Sequence, residues 1–116
     1  MKLEVGQFVR TKDGYISQYK YYDTTNAYME KLLCIPLSNG TFANIEDIVK
    51  ASYNIIDILE VGDMVNSLIV TKISEDNETK KRYINLYGSL CEWENEDIKS
   101  IVTKEQMEQM AYKVVE

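Results

Sequence analysis

The stretch Tyr53-Asn54-Ile55-Ile56-Asp57-Ile58-Leu59-Glu60-Val61-Gly62-Asp63-Met64-Val65-Asn66 decides how the chain is organised. Its first half, with Ile55, Ile56, Ile58 and Leu59, is too apolar for a linker. Its second half, Val61-Gly62-Asp63-Met64-Val65, repeats the opening Val5-Gly6-Gln7-Phe8-Val9. One segment therefore closes a first unit and starts a second. The expected halves are 1–59 and 60–116 of a single domain.

Working outward, residues 4–10 read as a strand, and Asp13-Gly14 is a tight-turn signal because glycine takes the positive φ that such turns need. Tyr15 to Tyr22 reads as the return strand, with Tyr15, Tyr19 and Tyr21 on one face by period-2 alternation. Leu32 to Ile35, before Pro36, reads as a buried strand, within a segment starting at Tyr28. Glu46-Asp47-Ile48 leads into another short strand. In the second half, strands are expected over Met64–Ile73, Lys80–Tyr87 and Leu90–Asn95, and Glu96-Asp97-Ile98 echoes Glu46-Asp47-Ile48. Thr103 and Gln106 have capping-box spacing, so a short helix follows, and Tyr112 to Val115 reads as a last strand. The fold expected is mostly β (α+β): a twisted antiparallel sheet, two related SH3-like halves and one short C-terminal helix.

Composition agrees with strands. Nine tyrosines stand against two phenylalanines and one tryptophan, and Tyr, Ile and Val favour strands. The net charge of −6 is uneven: residues 1–50 carry six basic and six acidic residues, and residues 51–116 carry seven and thirteen. An acidic chain repels phosphate, so direct nucleic-acid binding is disfavoured and a basic protein partner is favoured. The start of the chain has no apolar h-region and no run is long enough to span a membrane. A cytoplasmic protein with reduced thiols is expected, with Cys34 and Cys91 as small buried hydrophobes.

The chain has no histidine, which removes the commonest general base, the Ser-His and Cys-His nucleophile pairs, and most zinc sites. It has no Cys-x-x-Cys, P-loop or dinucleotide-binding glycine motif. Asp63 with Glu78-Thr79-Lys80 is a loose match to a metal-dependent nuclease arrangement, but Glu78 falls in a charged loop. The repeated Glu-Asp pairs read as turn formers. No enzyme activity, cofactor or metal is expected. Two surfaces remain. The tyrosine face of Tyr15, Tyr19 and Tyr21 could stack a small ligand or nucleotide, and that reading allows an oligomer. Glu92, Glu94 and Glu96, about 6.6 Å apart on one face of a strand, form with Asp97 an acidic ridge for a cationic partner. Cys91 and Trp93 would face inward.

The segments Val5–Ile16, Asn54–Asn66 and Glu96–Gln106 together resemble a group of small phage and prophage proteins of low-GC Gram-positive bacteria. The resemblance covers most of the chain, although Ser67-Leu68 stands where Gly-Tyr is more usual. It implies a phage accessory protein acting in the bacterial cytoplasm and carries no catalytic residue with it. In that setting the leading expectation is a non-enzymatic inhibitor of a host defence protein, with a CRISPR effector nuclease as one such target. The alternatives are a small-ligand-binding β-protein and a phage structural component.

Overall fold

The computed structural model describes residues 3–20, 34–38 and 40–111. The chain divides into two units, Met1–Ile58 and Leu59–Glu116. Unit 1 carries β1 (Phe8–Thr11), β2 (Ile16–Gln18), β3 (Cys34–Pro36), β4 (Phe42–Asn44) and β5 (Ile48–Ser52). Unit 2 carries β6 (Met64–Val65), β7 (Leu68–Glu75), β8 (Arg82–Leu86), β9 (Ile101–Val102) and the helix α1 (Lys104–Met110). Short 3-10 turns occupy Ile45–Asp47, Ile55–Ile58 and Asn95–Asp97. All strand pairs among the described residues are antiparallel, in the orders β2-β1-β5, β3-β4 and β8-β7-β6-β9.

Each Val-Gly segment is a turn rather than strand, and the strand opens two residues later. In unit 1, Gly6 sits at φ 95°, which a side chain would strain. Gln7 N donates to Glu4 O at 3.2 Å, and Glu4 N returns a bond to Gln7 Oε1 at 2.9 Å. Gly6 N then donates to Tyr19 O, and Tyr19 N to Gln7 O, each at 2.8 Å. Unit 2 repeats these bonds. Gly62 is at φ 98°, Asp63 N donates to Glu60 O at 3.1 Å, and Glu60 N donates to Asp63 Oδ2 at 2.7 Å. Gly62 N donates to Val70 O at 2.9 Å and Val70 N to Asp63 O at 2.8 Å.

The strand registers run in parallel too. Val9 faces Ser17 on one side and Ala51 on the other, as Val65 faces Leu68 and Ile101. Tyr19 bridges to Leu37, as Val70 pairs with Leu86. Asn44 and Glu94 precede the 3-10 turns, and Ile48 and Ile98 close them, each N–H donating back to residue 45 or 95.

Alternation selects the cores. In unit 1, Val9, Tyr19, Ile35, Leu37, Ala43 and Ile48 cluster, with Leu3, Ile45 and Ala51 against them. The Arg10 side chain is fully buried and Nη1 donates to Ile58 O at 3.1 Å. In unit 2, Leu59, Val65, Val70, Ile84 and Leu86 are buried, while Asn85 and Tyr87 point outward from the β8 side of the sheet.

Three expectations change. The single strand over Met64–Ile73 is a hairpin: Asn66 and Ser67 both take positive φ, 49° and 69°, and turn β6 into β7 as in a type I′ turn. No strand forms over Leu90–Asn95. Ser89 Oγ accepts from Cys91 N at 3.3 Å and Asp97 Oδ2 accepts from Glu94 N at 2.9 Å. Local side chains thus take backbone donors that a strand would offer a neighbour. Cys91 is exposed, not buried. The segment Tyr28–Leu33 and the strand expected over Tyr112–Val115 lie outside the described residues. The capping box is present: Thr103 Oγ1 accepts from Gln106 N at 3.3 Å and Gln106 Oε1 from Thr103 N at 3.0 Å.

Candidate functional site

The acidic segment of unit 2 is held from three sides. Asn66, at the β6–β7 turn, accepts through Oδ1 from Lys99 N at 2.8 Å and Ser100 N at 3.1 Å, and its Nδ2 donates to Asp97 O at 2.7 Å. Its left-handed backbone aims one amide side chain at three backbone groups. Lys99 Nζ donates to Glu96 O at 2.7 Å. Lys81 Nζ pairs with Glu94 Oε1 at 2.9 Å and lies 5.1 Å from the centre of the Tyr83 ring.

That geometry redistributes the expected ridge. Glu92, Glu94 and Glu96 do not share a strand face, because no strand is there. Glu94 is half-buried and tied to Lys81, whose pKa is raised first by that hydrogen bond and then by the charges of Glu94, Tyr83 and Glu92. Asp97 takes the Glu94 N–H. Glu92 and Glu96 are exposed, and their side chains form no bond among the described residues. Trp93 is half-buried between them in sequence, its indole N–H enclosed and without a hydrogen-bond partner among the described residues. The carboxylates offered outward are thus chiefly Glu92 and Glu96.

The tyrosine face is divided. Tyr19 is a core residue, 6% exposed. Tyr15 precedes β2, at the end of the β1–β2 turn, where its N–H donates to Thr11 Oγ1 at 3.1 Å. Strand alternation does not extend to it, and it is exposed. Tyr21 lies outside the described residues. Among the described residues Tyr15 and Tyr19 are thus split between surface and core, and Tyr15 borders a cleft.

The cleft belongs to unit 1 and has a volume of about 220 Å³. Leu37 and Ala43 form its apolar part; Asp13, Tyr15, Phe42, Asn44 and Asp47 line it as well. Asn44 Oδ1 accepts from Glu46 N at 3.0 Å, which sets the 3-10 turn that carries Asp47. Asp47 pairs with Lys12 at 3.0 Å, an exposed ion pair that raises the Lys12 pKa. Phe42 was not singled out by sequence. In the sequence it is an aromatic residue just after the Ser38-Asn39-Gly40 turn signal; in the structure it opens β4, three positions before the 3-10 turn that carries Asp47.

Cleft and acidic segment occupy the same place in the two units. Phe42, Asn44 and Asp47 precede or end the first 3-10 turn as Glu92, Glu94 and Asp97 do the second. One position carries an aromatic cleft with two carboxylates, the other a surface on which carboxylates outnumber Lys81 and Lys99.

The loose nuclease match separates. Asp63 is fully buried and serves the backbone, accepting from Glu60 N and from Lys104 N at 3.0 Å. Glu78 sits at the β7–β8 tip, where Asp76 Oδ1 accepts from Glu78 N at 2.8 Å and Thr79 N at 3.0 Å. Among the described residues no group of three or more His, Cys, Asp or Glu is placed to hold a metal ion, and no helix is long and apolar enough to cross a membrane. Compared with known protein families, curated proteins and solved structures, the chain matches none.

Proposed function

We propose that the chain is a non-enzymatic binding protein that docks through the acidic surface of unit 2 on a basic surface of another protein. The observation that carries the reading is where the charge lies. Unit 1 holds six basic and seven acidic residues and unit 2 seven and twelve, so five of the six net negative charges belong to unit 2. Within unit 2, Glu92 and Glu96 are exposed carboxylates left over after Glu94 and Asp97 are used internally. A groove that normally holds nucleic acid has the complementary chemistry. In the phage setting that the sequence resembles, its owner is a host defence protein in the cytoplasm, and a CRISPR effector nuclease is the sharpest form of that target. Individual exposed ion pairs are weak, so the charge acts mainly by steering association and raising the on-rate. The recurring turns and registers support reading the units as related SH3-like halves.

The test is inhibition of a host effector nuclease by the parent protein and by Glu92→Gln/Glu96→Gln, with association rates followed against ionic strength. The reading expects a folded variant whose association is slower and less salt-dependent. Equal inhibition with an unchanged salt dependence would sink it.

A further inference from the structure

We propose that the unit 1 cleft binds the guanidinium group of an arginine side chain presented by a peptide. The inference goes beyond the reading above, since it concerns the other unit. Size comes first: about 220 Å³ is below the roughly 300 Å³ at which drug-sized ligand sites begin, and suits one long side chain rather than a nucleotide. Charge comes second. Asp13 from the β1–β2 turn and Asp47 from the 3-10 turn line the same cleft, which repels phosphates and carboxylates and attracts a cation. Third, Phe42 is 52% exposed and Tyr15 36%, although the neighbouring Ala43 already fills the core side of β4. An aromatic face beside carboxylates favours a planar cation, which stacks on the ring while its edge donates hydrogen bonds. An ammonium offers no such plane. Lys12 is the intramolecular competitor at Asp47, but both partners of that pair are largely exposed, at 64% and 40% of their side chains, and such a pair yields readily.

Backbone amide NMR spectra of the full chain, titrated with N-acetyl-argininamide, N-acetyl-lysinamide and the neutral N-acetyl-citrullinamide, test the assignment. The arginine compound should move the amides of residues 11–15 and 41–47 in a saturable way, and the citrulline compound should not. Phe42→Ala and Asp47→Asn should each weaken binding by roughly two- to fivefold. Phe42→Leu keeps apolar bulk without a ring and replaces Phe42→Ala if that variant does not fold. Glu92→Gln/Glu96→Gln should leave this titration unchanged, which separates it from the unit 2 surface. The proposal is overturned if the citrulline or lysine compound binds as well, if the shifts fall elsewhere, or if a folded Phe42 variant binds like the parent.

Discussion

Removing Asp63 should unfasten unit 2 at two points at once. Its carboxylate is fully buried and accepts from Glu60 N at 2.7 Å, which starts the Val-Gly turn, and from Lys104 N at 3.0 Å, which starts α1. Asp63→Ala leaves both donors without that acceptor. A hydrogen bond to a charged group contributes about 1.5–3 kcal/mol, and an orphaned donor costs about 1–3 kcal/mol. Glu60 is half-buried and Lys104 exposed, so water relieves part of the loss and the low end applies, about 2–3 kcal/mol in all. Asp63→Asn keeps one carbonyl acceptor, as Gln7 does at the matching place in unit 1, and should lose about half as much. Urea titration followed by Trp93 fluorescence reads unit 2 directly, because Trp93 is the one tryptophan in the chain. For a cooperative unit of this size each kcal/mol lowers Tm by about 4–8 °C. A loss below about 1 kcal/mol for the alanine variant would refute the view that this carboxylate joins turn to helix.

Ser67→Gly should stabilise the β6–β7 hairpin by about 1 kcal/mol, since Ser67 holds φ 69° and a left-handed residue other than glycine costs about 1–2 kcal/mol; an unchanged urea midpoint would contradict this. Asn66→Ala should cost about 1–3 kcal/mol and speed amide exchange at Lys99 and Ser100, the two donors it serves; unchanged protection there would count against it. Gly6→Ala and Gly62→Ala should each destabilise by about 1–2 kcal/mol, because both glycines hold positive φ, 95° and 98°; equal stability of parent and variants would show that the turns relax. Asp76 has a pKa below the usual carboxylate value, chiefly because it accepts the Thr79 and Glu78 backbone N–H groups. Its contribution is present above the ordinary aspartate pKa and is lost as pH falls through the depressed one. Protection of the Glu78 and Thr79 amides, taken as exchange relative to the intrinsic rate at the same pH, should therefore fall only in that acid window, and Asp76→Ala should abolish that loss of protection.

Much of the architecture could be read from local chemistry. Each Val-Gly pair stands as a turn just ahead of a strand, Thr103 and Gln106 marked the helix start, and Ile84 and Leu86 alternated inward as period 2 requires. The acidic segment was harder. Cys91, Glu92, Trp93 and Glu94 alternate like a strand, but alternation says nothing about whether a neighbouring strand is there to pair with. Ser89 and Asp97 supplied the competing acceptors. The β6–β7 turn was hidden because Asn-Ser carries a weaker turn signal than Asn-Gly. The cleft was hidden because it is assembled from residues far apart in sequence, and strand alternation begins only at Ile16, one residue after Tyr15.

In each unit the strand made first sits in the middle of its sheet: β1 between β2 and β5, β6 between β7 and β9. One edge of that strand has no partner until β5 or β9 has been synthesised. At about 5–20 residues per second, the chain from Val9 to Ala51 takes seconds to emerge, whereas closing a short loop takes well under a microsecond. Synthesis therefore sets the earliest moment at which each sheet can be completed. Unit 1 has all of its described strands once Ser52 is out, while the acidic half is still unmade. A ribosome stalled between Val9 and Ala51 would leave the β1 edge bare for as long as the stall lasts.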